Sequence, residues 1–192
     1  MTIQASAVRE MIERVIELSR SYAIWLTLVN KQNFEKYGTV IDNHADFFEA
    51  TTHSLFQGFS VITYQLFETR RDTTSIPRLI DDLASSDPVL AQQLKVAVDT
   101  RKPLLGKVFA IRGNVYAHRN KTQTPESVFA AAGLSASEMQ TVVAFAQDVV
   151  ATLGEAAGVD AKAELAADIK LREDYSAEDT RLIMEALQKH AL

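Results

Sequence analysis

The chain has 192 residues and a net charge of −5; 47% of its residues are hydrophobic, and it has only seven glycines and four prolines. That length and composition suit one substantial globular domain with or without an appendage, and exclude the disordered and fibrous classes. With no cysteine, disulfides, thiolate metal sites and cysteine nucleophiles are excluded, and a reducing cytoplasm is the expected location.

Arg9, Glu10, Glu13, Arg14 and Glu17 interrupt the first 18 residues, so no signal-peptide apolar core is expected there. No run of 18 apolar residues occurs, so no membrane span is expected either. Apolar residues at three-to-four spacing (Val8, Met11, Ile12, Val15, Ile16, Leu18, Trp25, Leu26, Val29) predict a helix from about Ala5 to Phe34. A second long helix is predicted from about Val40 to Arg71, with Phe47, Phe48, Leu55, Phe59, Ile62 and Leu66 on its core face. Asp72-Thr73-Thr74-Ser75 ends it, because these side chains compete for backbone hydrogen bonds and favour turns.

Pro77 after Ser75 opens a short helix carrying Leu79, Ile80 and Leu83. Ser86-Asp87-Pro88 opens another through Leu90, Leu94 and Val98, which Pro103 breaks or kinks. A further helix is predicted from about Leu104 to Arg119. Thr124-Pro125 starts a short one ending near Gly133, and the capping box Ser135-x-x-Glu138 starts one reaching about Leu153. Ser176-x-x-Asp179 reads as the start of a final helix. Strand signals are nearly absent. The expected fold is all-α, an up-and-down helical bundle over residues 1–153. An acidic helical extension follows over 154–192, with nine Asp/Glu against five Lys/Arg.

Residues 104–119 carry the unusual chemistry. Leu104, Val108, Ile111 and Val115 form an apolar row whose next member is His118, and the adjacent row, Leu105 and Phe109, runs into Arg112 and Tyr116. An arginine on that stripe has to be paired or reach water, because isolated buried charge costs several kcal/mol at least. From Arg101 to Lys121 there are six Lys/Arg and no Asp or Glu, a +6 island in a chain otherwise at −11. Such an island suits an anion site; the plainer reading is a basic helix neutralised by acidic neighbours.

Arg112-x₅-His118 with Asn114 inside and Ala117-His118-Arg119-Asn120 at the end resembles the signature of the HEPN superfamily, within it the AbiU-like abortive-phage-infection branch. Upstream blocks agree in order: Asp46-Phe47-Phe48, His53-Ser54-Leu55, Gln65-Leu66-Phe67-Glu68, Asp72-Thr73-Thr74-Ser75-Ile76 and Leu79-Ile80. The resemblance covers about Phe47 to Leu153. It implies a HEPN-like bundle dimerising through its motif helices, and a metal-independent endoribonuclease that needs no cofactor. In that activity a ribose 2′-OH attacks the adjacent phosphorus and leaves a 2′,3′-cyclic phosphate. Members serve in phage defence or as toxins, so RNA, a second copy and an antitoxin or regulatory protein are the implied partners.

Residues six apart on an α-helix lie about 9 Å apart along the axis and about 120° around it, so one helix does not easily bring Arg112 and His118 to one phosphate. Two copies crossing about a two-fold axis can, with Gly113 and Ala117 permitting close approach. His118 then moves the proton, its ordinary imidazole pKa near about 6.5 suiting acid or base. Arg112 offers a fork of donors to the phosphoryl oxygens. Asn114 orients the imidazole or holds a phosphate oxygen. Lys107, Arg119 and Lys121 hold the RNA backbone. Glu68, in the position of the family's acidic residue, can fix Arg112 by a salt bridge.

Two positions depart from the pattern. Gly113 stands where active members carry a polar residue. Asn120 fills the place of the tyrosine in toxins that a nucleotidyltransferase antitoxin modifies, so that partnership is not expected. The alternative function is a catalytically inactive helical dimerisation or ligand-binding module, with Arg112 as a structural ion pair. A third reading has the acidic extension bind a partner or cover the basic site. Asp42, Asp46, Glu49 and His53 share one helical stripe; metal ligation there would need matching ligands from another helix, and a solvated face is the plainer expectation. Trp25, Phe47, Phe48 and Phe59 are expected in the core.

Overall fold

The computed structural model describes residues 3–117 and 124–190, without the side chains of residues 117, 169–173 and 190. Within these residues there is no strand. The chain runs through α1 (Ala5–Val29), α2 (Lys31–Asn43), α3 (Ala45–Phe67), α4 (Ile76–Leu83) and α5 (Pro88–Ile111). A π-helical turn (Arg112–Ala117) follows, then α6 (Pro125–Ala132), α7 (Ala136–Ala156) and α8 (Ala161–His190). The fold is the all-α bundle expected from the periodicity.

The boundaries differ from the sequence reading where polar residues end helices early. α1 stops before Phe34: Asn30 is extended (φ −63°, ψ 131°), and its side chain accepts the Gln32 N–H at 2.9 Å, capping α2. Asn33 Nδ2 donates to the Thr27 carbonyl at 2.8 Å, satisfying one of the acceptors that the end of α1 leaves open. The single helix expected from Val40 to Arg71 is divided at His44 (φ −127°, ψ 35°) and ends at Phe67. Beyond it Glu68 is extended, and the Ser75 hydroxyl donates to the Glu68 carbonyl at 2.8 Å, closing the turn into α4.

Pro103 does not break α5, which continues through it. Pro103 and Asp99 are both exposed, so the carbonyl freed by the missing N–H turns to water. The caps at Asp87, Thr124 and Ser135 are all present, the last as a full capping box with Glu138.

α7 supplies the centre of the core through Met139, Val142, Val143, Ala146, Val149, Val150 and Leu153. It packs with the buried stripe of α1, which in turn packs on α3, whose Phe59, Ile62 and Leu66 join the same core; Phe67 of α3 stacks on Phe145 of α7. A second, smaller cluster of Leu28, Tyr37, Val40, Phe48 and Met184 lies between α1, α2, α3 and the end of α8. Phe47, expected in the core, is 59% exposed, and Trp25 is only half-buried.

The final helix does not start at Ser176; α8 is already continuous from Ala161. Its early residues Ala161 and Leu165 enter the main core and Met184 the smaller cluster, so packing at both ends holds 30 residues in one helix. The extension lies along α1 and packs on the bundle. Among the described residues no single helix is long and apolar enough to cross a membrane; α6 and α7 pass that test only together, bent by 71°, and α7 is core.

Candidate functional site

The last turn of α5 buries Leu105, Val108 and Ile111 fully, and the apolar row then meets the polar motif. There the backbone leaves α-helical geometry for the π turn Arg112–Ala117. Wider i→i+5 turns inside helices are frequent at functional sites, and Gly113 adds little resistance to the change of dihedrals. The α-helical register computed from sequence consequently fails past Arg112, since a wider turn advances less than 100° per residue.

Arg112 lies with its guanidinium 4.2 Å from the centre of the Tyr64 ring on α3. Phe109 meets the same ring edge-on, with centroids 5.3 Å apart. A cation on an aromatic face is stabilised by the ring quadrupole by about 0.5–1 kcal/mol at such half-exposed sites. The expected Arg112–Glu68 salt bridge is not formed: among the described residues no carboxylate pairs with Arg112. Glu68 sits where the chain turns away from α3, its extended backbone leading into the 68–75 turn. Asn114 Nδ2 donates to the Ala110 carbonyl at 2.9 Å, one of the acceptors the widened turn would otherwise strand.

Tyr116 packs edge-on against His53 of α3 with ring centroids 5.3 Å apart. Its hydroxyl is shut off from solvent with no hydrogen-bond partner among the described residues, and burial pushes the phenol up to about 12. The π turn is thus held on α3 by two contacts, Arg112–Tyr64 and Tyr116–His53. Sequence reading missed Tyr64 and His53 as supports of the motif. The available signal was their separation of eleven residues, which puts both on one side of a helix.

The basic island is partly neutralised. Lys107 Nζ lies 2.6 Å from Glu138 Oε1 and donates to the Gly133 carbonyl at 3.3 Å, so its expected role on RNA gives way to clamping α5 on the start of α7. The Lys107 hydrogen bond and the Ser135 N–H hold Glu138 below the usual carboxylate range. Lys102 pairs with Asp99 at 2.8 Å, and Arg101 lies 5.7 Å over the Phe145 ring. Of the four described cations in the island, only Arg101 and Arg112 face no carboxylate. His118, Arg119 and Lys121 lie outside the described residues. No group of three or more His, Asp or Glu side chains among the described residues is placed to hold a metal, the Asp42–His53 stripe included.

The model of the HEPN AbiU2 family matches residues 6–177. The chain belongs to the AbiU2 family of HEPN domains. No curated protein and no solved structure matches it. The AbiU2 match runs from the first turn of α1 into α8, so it takes in both α3, which supports the motif, and the first half of the acidic helix.

Proposed function

We propose that this AbiU2-family chain is a metal-independent endoribonuclease of the phage-defence or toxin type, acting in the cytoplasm as a homodimer. Membership of an abortive-infection family of HEPN domains supports an RNase-like role in outline. The observation that carries the finer reading is the setting of Arg112: a cation beside Tyr64 with no carboxylate among the described residues to neutralise it, on a π turn. A guanidinium so held keeps its donors for an anionic ligand, and phosphate is the anion the forked geometry suits.

In the proposed reaction the His118 imidazole removes the 2′-OH proton as that oxygen attacks phosphorus, and the P–O5′ bond breaks as O5′ takes that proton from the resulting imidazolium. Arg112 of the facing copy stabilises the non-bridging oxygens. Asn114 and the cations Arg119 and Lys121 complete the phosphate contacts, and an antitoxin or regulatory protein restrains the activity. The alternative of an inactive module had Arg112 as a structural ion pair; among the described residues Arg112 has no such pair, and its structural contact is with Tyr64.

The test is cleavage of single-stranded RNA in the presence of EDTA by wild type, Arg112→Ala and His118→Ala. Wild type is expected to leave 2′,3′-cyclic phosphate ends, and each variant to lose at least about 100-fold in rate. Undiminished cutting by His118→Ala refutes the mechanism.

A further inference from the structure

We propose that the cleft between the end of α1, α2 and the start of α3 docks a basic amphipathic helix of a partner protein. This proposal is independent of RNA cleavage. The cleft measures about 420 Å³, within the range of built binding sites. Val29, Phe34, Ile41 and Phe48 line it with apolar surface, and Asp42 and Glu49 stand among them.

Its lip is the first argument. Val29 is 41% exposed and Phe34 53%, and the exposed Phe47 ring meets Phe48 edge-on at 5.3 Å. Two of the eight large apolar side chains exposed among the described residues therefore line the cleft, and a third, Phe47, touches its lining residue Phe48. Single exposed apolar residues are ordinary, whereas a contiguous patch with a polar rim marks an interaction site. A small molecule enclosed by the cleft would leave that lip wet. A helix laid across it covers the lip and sends two or three side chains inward.

Charge is the second argument. Asp42 and Glu49 line the cleft, and neither they nor Asp46, between them in the chain, have a cationic partner among the described residues. Asp42 also stands in the last turn of α2, at the negative end of that helix, where no basic residue offsets it. Lys or Arg flanking the apolar face of an incoming helix would relieve both the unpaired carboxylates and the helix end. The same acids disfavour an anionic bilayer as the occupant.

The test is fluorescence anisotropy on the full chain with a dye-labelled 14-residue Leu/Lys peptide of amphipathic helical spacing. A scrambled peptide of the same composition and a Leu/Glu counterpart serve as controls. Saturable binding of the amphipathic Leu/Lys peptide alone is expected. Phe34→Ser and the double variant Asp42→Asn, Glu49→Gln should each raise Kd at least about tenfold, and Val96→Ser, equally exposed on α5, should leave it unchanged. Equal binding of the scrambled peptide, or no loss in the Phe34 and Asp42/Glu49 variants, overturns the proposal. So does Phe34-dependent binding to phosphatidylserine vesicles with no binding of the peptide.

Discussion

The Tyr116 hydroxyl has no acceptor among the described residues and no access to water, which makes it a liability that the ring's packing against His53 outweighs. Removing only the oxygen tests this. Tyr116→Phe should leave stability at pH 7 unchanged or raise it by up to about 1 kcal/mol in urea denaturation, because no hydrogen bond is lost. The phenol also sets a pH dependence. Its folded value, about 12, lies above its ordinary 10, so the folded state binds the proton more tightly than the unfolded chain. Its contribution is fully present below pH 10 and fades as pH rises towards 12, by about 1–2 kcal/mol once partial exposure of the ring is allowed for. The difference between wild type and Tyr116→Phe isolates that fall from the other tyrosines and lysines titrating in the same range.

At the level of the element, most helix starts set by side-chain caps were legible in the sequence, the Asn30 cap of α2 being missed, and ends set by contacts were not. Ser135 with Glu138, Thr124 before Pro125 and Asp87 before Pro88 each carry their own hydrogen-bond partner within three residues, so local chemistry decides them. Ser176 has the same local pattern yet lies inside α8, because the core contacts of Leu165 and Met184 keep the helix running through it. The α7–α8 junction shows a similar dependence on neighbours. A Cβ on Gly154 would fall 2.2 Å from the Ala161 Cβ and 3.1 Å from the Val159 carbonyl, both fixed by the turn through Gly158 at φ +70°. Gly154→Ala should therefore destabilise by about 1–3 kcal/mol, read as a lower urea midpoint with an unchanged m-value.

For the whole molecule, Gly113 separates the needs of one chain from those of an assembly. A Cβ there meets nothing within 4 Å among the described residues, so no clash within one chain requires glycine. If two π turns cross as proposed, the open space beside Gly113 is where the second copy comes close. Gly113→Ala should then keep or raise thermal stability while lowering the mass measured by light scattering from dimer towards monomer and slowing RNA cleavage. A variant that dimerises and cuts like wild type would remove the crossing from the proposed mechanism.

By itself the sequence determined the helical class, most of the capped boundaries and the stretch from Arg112 onward as the place where polar chemistry interrupts a core stripe. Those features follow from periodicity and from hydrogen bonds that close within a few residues. Only the tertiary structure decided that Arg112 rests on Tyr64 instead of pairing with Glu68, that Lys107 is occupied by Glu138, and that the acidic extension is a wall of the bundle. Each of those outcomes joins residues at least 30 positions apart in the chain, and which of several available partners a side chain meets is set by how the helices pack.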